Sequence, residues 1–420
     1  MSFAASLSGL AGASKAIDVI GNNISNSQTI GFKMSKLRFA DVLASSLPGT
    51  QPNTSANAGV GTDIINQQFV QGGLARSDSP LDMAISGQGF FRLNNSGDIS
   101  YSRDGRFQLA ADATSPDKRI LVNGTGFNVT GYLAEFTADP QGVIATGAGL
   151  QNISIDTVMP AAATSAVSVS ANLDARVAPA LPAFDPANPR TYNHSAGITV
   201  YDSTGVAHNL NIYFSKPGPG NSWDVYTTLD NASQTGPVTL GFDVNGLLTT
   251  ATPLPAQTYA LSGGGSLTVA TDFAGMVQYG KAFNVDAIDQ NGYPDGAMNG
   301  ANGVSVGIDG VIQAFYSNGQ SRKVAQVVLA NFVNPNALIS QGDGQWKENP
   351  DPVRGTGKMV LDTPGGPLGV GLVQGGVKEL SNVDLSEELV GLIEQQRNYQ
   401  ASAQTFKILD QALQTLVNVR

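Results

Sequence analysis

The chain carries two histidines, His194 and His208, and no cysteine. Their spacing, with no thiolate nearby, argues against a zinc site, and without cysteine there is no disulfide, thiolate nucleophile or redox pair. His208, in an alternating apolar stretch, reads as a packed, hydrogen-bonded core residue. Gly87-Gln88-Gly89 and Gly263–Gly265 are not followed by a strand–helix pattern, so phosphate-loop and dinucleotide readings fail. Neither the serine-hydrolase elbow nor the zinc-protease helix motif is present. Asp289, Asp295 and Asp309 lack the regular spacing of a calcium loop. Glu387 and Glu388 stand at a helix start, where carboxylates complement the dipole. A glycosidase would need paired carboxylates in an aromatic cleft, and two tryptophans in 420 residues do not line one. An adhesin would carry tandem β repeats, and none is found. The residues assign no catalytic group, metal or cofactor.

The spacing that does carry information is apolar. Phe3, Leu10, Ile17 and Ile24 fall seven apart, with Leu7, Ala13 and Ile20 beside them. Near the other end Leu385, Leu392, Tyr399, Phe406 and Leu413 also fall seven apart, flanked by Leu389, Ile393, Leu409, Leu416 and Val417. A 3.5-residue repeat keeps one stripe against a neighbouring helix along its whole length. Heptad spacing alone serves a buried helix as well as a polymer seam, but seams at both ends point to assembly. Only 13% of residues are charged and the formal net charge is −10, which argues against non-specific nucleic-acid binding, since that needs a basic face. No run approaches the ~20 apolar residues of a membrane span. Nor does the start look like a cleaved secretory signal, the first basic residue being Lys15.

Between the seams the pattern is of short strands and Gly/Asn/Ser turns. The first helix should stop near Asn22–Asn26. Phe32–Leu43 could be a strand or a helical turn, and the Ser/Pro/Gly-rich residues 45–62 read as a connector. Tyr101, Arg103, Gly105, Phe107 and Leu109 alternate onto one face, with Asp104-Gly105 as turn punctuation. Ile198–Asp202 and Val206–Phe214 read as a hairpin, with Trp223–Leu229 a third strand. Gly303–Phe315 and Arg322–Phe332 follow as strands, and residues 363–376 as a second connector. Asp384, with Glu387 three residues later, has the arrangement of a capping box. The last helix would be on the order of 55 Å long at ~1.5 Å per residue. The expected fold is mainly β with α-helical termini and nested β domains: 1–30 with 377–420 helical, 31–63 with 363–376 connecting, 64–150 with 285–362 an inner β domain, and 151–284 inserted within it.

Two segments then resemble a known family. Gly21-Asn22-Asn23-Ile24-Ser25-Asn26-Ser27-Gln28-Thr29-Ile30-Gly31-Phe32-Lys33 resembles the ANNIANxxTxGFK signature of bacterial flagellar rod and hook proteins, departing at Gly21 and Ser25. Ser381–Val390 with Gln396–Ala401 resembles the matching end motif, and Asp82–Arg92, Tyr101–Phe107 and Val327–Phe332 resemble the inner β domain. Over 151–284 only stretches such as Ile198–Gly205 do so. The length resembles the hook members, with distal-rod or hook-associated proteins as the alternative, and a secreted adhesin or enzyme further off.

The resemblance implies a structural protein, not an enzyme: a subunit polymerising into a curved tube that couples motor to filament. Helices would line the inner tube, the first β domain the middle shell and the insert the outside. It implies flagellar type III export without a cleaved signal. The implied partners are copies of the chain, the distal rod protein, the hook cap, the hook–filament junction protein, the hook-length ruler and the export apparatus, with no nucleic acid and no membrane insertion. A lysine–cysteine crosslink known between some hook subunits cannot form here. The expected subunit interface comprises Phe3, Leu7, Leu10, Ile17, Ile20, Asn22, Asn23, Ile24, Asn26, Gly31, Phe32, Leu385, Leu389, Leu392, Ile393, Tyr399, Phe406, Leu409, Leu413, Leu416 and Val417. We further expect both ends to order only on incorporation. The amides Gln395, Gln396, Asn398, Gln400, Gln404, Gln411, Gln414 and Asn418 would form a channel-facing surface with few fixed charges.

Overall fold

The computed structural model describes residues 3–43, 57–136, 141–180, 183–353 and 355–418. Among these, two long helices bracket the strands: α1, Phe3–Ser25, and α2, Leu385–Asn418. α1 ends where its asparagines turn the chain, the Asn26 amide reaching Asn22 O and Asn23 O at 3.1 Å each. α2 starts at Asp384, whose Oδ1 accepts from the amides of Ser386 (2.8 Å) and Glu387 (3.2 Å), satisfying two orphan donors of the first turn. The reciprocal half of a capping box is replaced by an ion pair, because the Glu387 carboxylate lies 3.8 Å from Lys36 Nζ. At about 1.5 Å per residue the 34 residues of α2 extend roughly 51 Å.

The helices pair antiparallel. A Cβ on Gly9 would lie 3.4 Å from Ser402 Oγ and one on Gly391 3.6 Å from Ile20 Cδ1, so rising numbers on one helix meet falling numbers on the other. Ser6, Gly12, Ala13, Ala16 and Val19 are among the small and medium residues buried on α1. Their size lets the two backbones approach closely.

Strand β1 (Ser35–Leu43) follows α1 and pairs antiparallel with β2 (Asn57–Gln67), in the register Leu37↔Ile65. That settles the strand-or-turn ambiguity over 32–43 and moves 57–62 out of the expected connector; residues 44–56 lie outside the described residues. The second expected connector also pairs. Leu372–Gly375 forms a ladder with Met83–Ser86, because glycines at positive φ (Gly365 at 74°, Gly369 at 78°) fold the segment back on the sheet instead of letting it span.

The chain forms two compact units. In the first, a large sheet runs in the order Val304–Val306, Val311–Phe315, Ser321–Val327, Asn128–Glu135, Phe90–Asn95, Asp98–Ser102, Gln345–Lys347, Ile339–Gly342. Three expected strands are broken in it. Gly303–Phe315 is a hairpin turning through Gly307–Gly310. Arg322–Phe332 divides its pairing, Ala325–Val327 with Gly131–Leu133 and Leu329–Ala330 with Phe90–Phe91. Tyr101–Leu109 breaks at 103–106, where a Cβ on Gly105 would fall 1.7 Å from Met83 O. An aromatic cluster fills part of the core, with Phe90 edge-on to Trp346 at 5.7 Å and Tyr101 to Phe332 at 4.8 Å.

The second unit comprises 157–298 and 316–320. One sheet has consecutive antiparallel strands His194–Tyr201, Ala207–Ser215, Ser222–Leu229 and Ser233–Gly241. The other is built around Ala166–Asp174, which pairs with Ser266–Asp272, Val277–Tyr279 and Asn284–Gln290. Leu210, Ile212, Phe214, Trp223, Val169, Leu173 and Phe273 are all buried in one core. The expected hairpin forms in the register Ile198↔Leu210, while Val206, counted on its inner face, lies outside the strand and is exposed. Ladders move the expected insert boundaries. Gln151–Asn152 and Ser154–Asp156 pair within the first unit, and Asn284–Gln290 pairs within the second, so the divisions fall after 156 and 298 and not after 150 and 284.

Candidate assembly surface and the junction that positions it

The two sequence signatures meet in a buried polar junction. Gly31 turns the chain at φ 71°, and its backbone N–H donates to Glu379 O at 2.8 Å. A Cβ there would lie 2.6 Å from Asp104 N, so both conformation and space call for glycine. Lys33 then enters the interior. Its ammonium donates to Glu379 Oε1 (2.6 Å) and Val70 O (2.7 Å). Arg103 approaches the other oxygen, Glu379 Oε2, at 3.4 Å, donates to Gly87 O at 2.8 Å and lies over the Phe90 ring. The Gly72 amide completes the carboxylate's partners at 2.9 Å.

Lys33 and Glu379 side chains are wholly buried and Arg103 nearly so. Burial draws the Lys33 ammonium and the Arg103 guanidinium below their ordinary ranges, with the Glu379 carboxylate opposing the shift in both. One anion shared by two cations, with backbone carbonyls taking further donors, is an arrangement that keeps buried charges satisfied.

Two asparagines extend the junction to the helices. Asn23 is 1% exposed; it accepts from Ser35 N (3.0 Å) and donates to Ser35 O (2.8 Å) and Glu388 Oε2 (3.1 Å), tying α1 to both β1 and α2. Asn382 accepts from Met34 N at 2.7 Å and donates to Gln68 O at 2.7 Å. Of the residues expected at a subunit interface, Asn23 and Gly31 are therefore occupied within the chain. Asn26 is half-buried and bonds Asn22 O at 2.9 Å, Asn22 is exposed, and Phe32 is half-buried.

The seam residues divide likewise. Leu10, Ile17, Ile20, Ile24, Leu392, Phe406 and Leu409 are half-buried. Leu7, Leu385, Leu389, Ile393 and Tyr399 remain exposed, Ile393 at 52%. The side chains of Phe3, Leu413, Leu416 and Val417 lie outside those described. A strict seven-residue repeat drifts about 20° per heptad on a straight helix, so its members do not all meet one partner. Val390 and Ile408, off the heptad, are also exposed, at 63% and 56%. The heptad count missed these two, and only a full tally of apolar side chains around α2 would have found them.

The amide surface is narrower than the sequence suggests. At about 100° per residue Gln396, Gln400, Gln404, Gln411 and Gln414 share an arc of roughly 80°, and all are exposed. Gln395 and Asn398 instead line a groove of about 380 Å³ with Gly9, Gly12, Ala13, Ala401 and Ser402. Lys407 falls within the amide arc and is exposed, so the stripe carries a fixed charge. The Asn418 side chain is outside those described.

Glu379 is the junction residue that the sequence did not single out. A lysine that must be buried needs a buried anion, and Val377 and Glu379 occupy alternate positions of one short strand, Val377–Glu379. Among the described residues no cluster of three or more His, Asp or Glu side chains could hold a metal ion, and no helix is long and apolar enough to cross a membrane.

Four family models match in chain order: "Flagella basal body rod protein" over 3–33, "Flagellar hook protein FlgE/F/G D1 domain" over 84–172, "Flagellar basal body protein FlaE D2 domain" over 172–293 and "Flagellar basal body rod FlgEFG protein C-terminal" over 373–419. The flagellar hook protein FlgE of Salmonella typhimurium is 39% identical over 429 aligned residues, covering 100% of each chain. The chain belongs to the flagellar hook protein family. The Escherichia coli FlgE is likewise 39% identical with 100% coverage of both chains, and that of Borreliella burgdorferi 30%, covering 99% of this chain and 98% of its own. A crystal structure of Helicobacter pylori flagellar hook protein FlgE2 aligns at a TM-score of 0.49 and 14% identity, over 71% of this chain and 99% of that one. As a hook-family chain it is a structural subunit of the bacterial flagellar hook, and its membership is in a structural and not an enzymatic family.

Proposed function

We propose that the subunit polymerises into the curved, flexible tube that serves as the joint between motor and filament. The observation carrying this reading is the apolar surface of α2 left over after the helices have paired: Leu385, Leu389, Val390 and Ile393 are all exposed within three turns. A row of large side chains in water is the signature of a surface that is covered in use. In this reading α1 and α2 line the inner tube. The exposed amide arc of α2 faces the lumen. The distal rod, hook cap, hook–filament junction and length-ruler proteins are its neighbours, and the chain reaches them through the flagellar export apparatus. The helix pair, joined largely through glycine and alanine, gains its full order on incorporation.

Electron microscopy of the full chain seeded with hook fragments, beside a chain trimmed to 27–383, tests this. Trimming there removes both helices entirely while keeping Lys33, Arg103 and Glu379 together. Tubes from the full chain alone support the proposal. A seeded full chain that stays monomeric, with its helices already protected from hydrogen exchange, defeats it.

A further inference from the structure

His208 of the second unit stands between two carboxylates on different turns. Its Nδ1 lies 2.6 Å from Asp230 Oδ2 and its Nε2 3.5 Å from Asp202 Oδ2. The imidazole is 9% exposed, and Nε2 has no hydrogen-bond partner among the described residues. Both carboxylates hold their own turns. Asp202 Oδ1 accepts from the amides of Thr204 (2.8 Å) and Val206 (2.9 Å). Asp230 Oδ1 accepts from Asn209 N at 2.8 Å, and Asp230 and Asn231 sit at φ 50° and 60°, a left-handed conformation that surrounding contacts must maintain.

The first of these turns is also a packing element. A Cβ on Gly205 would lie 3.0 Å from Ala161 Cβ and 3.3 Å from Pro294 Cα, so the turn rests on segments near both ends of the unit's main stretch. The adjoining strand end is tied to the same region, Thr164 N donating to Tyr201 O at 2.8 Å and Tyr201 N to Thr164 Oγ1 at 2.9 Å.

We propose that His208 is a proton-operated clamp, fastening the Asp202–Val206 and Asp230–Ala232 turns together when protonated and releasing the first when neutral. The imidazolium has two N–H donors, one for each carboxylate. A neutral ring that keeps its short Nδ1–H bond to Asp230 presents a lone pair to Asp202, so attraction at 3.5 Å becomes repulsion. Asp202 and Asp230 are the ionisable groups that face the ring, while Tyr201, Tyr293 and Asp295 belong to the adjoining strand end and to the segment against the turn. The electrostatics agree with the geometry. The bond to Asp230 leads the causes that raise the histidine above its ordinary range against a smaller desolvation effect, and Asp202, held foremost by the Thr204 hydroxyl, lies at about 2. The carboxylates stay charged throughout the histidine's range, so the ring is the group that switches. Its folded-state pKa being raised, the stabilisation is fully present below about 6.5 and lost as pH rises through the folded value.

With two histidines in the chain, a ring-proton NMR titration of the full-length protein resolves both. His208 should titrate above, and His194 below, the ordinary histidine value, burial lowering the latter. Urea unfolding is followed through Trp223, buried in the second unit, with Trp346→Phe removing the other indole. The unfolding constant of the clamped chain, relative to His208→Gln, should rise with pH by at most about tenfold per unit, the limit for one proton. Asp230→Asn, which tolerates the left-handed turn, should bring the His208 titration down. A His208 titration at or below the ordinary value, or an unchanged pH profile in His208→Gln, overturns the proposal.

Discussion

Glu379→Gln is the substitution with the largest expected effect per atom changed. It preserves shape and removes the single anion that serves Lys33 Nζ at 2.6 Å and the Arg103 guanidinium at 3.4 Å. Both cations keep one backbone acceptor, Val70 O at 2.7 Å and Gly87 O at 2.8 Å, but neither keeps a counter-charge. Breaking a buried ion pair by removing one partner costs about 3–5 kcal/mol. The retained carbonyls pull this estimate down and the second stranded cation pushes it up, so the same interval stands here. Urea unfolding followed through Trp346, in the aromatic cluster of the same unit, with Trp223→Phe, measures it. Lys33→Met alone leaves the Arg103–Glu379 contact, and adding it to Glu379→Gln should recover part of the loss, a coupling that the double-mutant cycle isolates. A loss below about 1 kcal/mol, the scale of exposed pairs, would mean that water reaches the junction and that the reasoning is wrong.

Asp384→Ala should cost about 1 kcal/mol of α2 stability, seen as faster amide exchange at Ser386 and Glu387, whose N–H groups it caps. Gly31→Ala should destabilise the first unit and separate the two signatures, since a Cβ would meet Asp104 N at 2.6 Å and φ is 71°; an unchanged thermal midpoint would contradict this. Leu389→Glu with Ile393→Glu, both at exposed positions, should leave the monomer's unfolding free energy within about 0.5 kcal/mol and abolish seeded growth. Lysines at Gln400, Gln404 and Gln411, on the exposed arc of α2, should slow hook growth in cells, and unaltered hook lengths would count against a lumen-facing surface.

Helices and hairpins were legible wherever local chemistry decides the outcome. Asp384 announces a helix start because its carboxylate bonds amides two and three residues on. The turn at Ser203-Thr204-Gly205 fixes the register of its hairpin for a similar reason. What the sequence hid depends on distant partners. The break at 103–106 follows from Glu379, far along the chain, drawing Arg103 inward and from Met83 O excluding any Cβ at Gly105. The strand at 372–375 was masked by its glycines, which read as linker until Met83–Ser86 supplies an edge. The family signature was recognised as a pattern, yet the partners of Asn23 and Lys33 came only with the fold. Residues of one type can serve a neighbour or their own chain, and spacing does not distinguish the two.

Lys33 and Glu379 lie 346 residues apart in the chain. No fragment that lacks the last tenth of the protein can neutralise the cations at 33 and 103, whatever else in it has folded. The junction therefore acts as a check on completeness: a chain severed before residue 379 carries two buried cations with no counter-charge, however well the rest of it has folded.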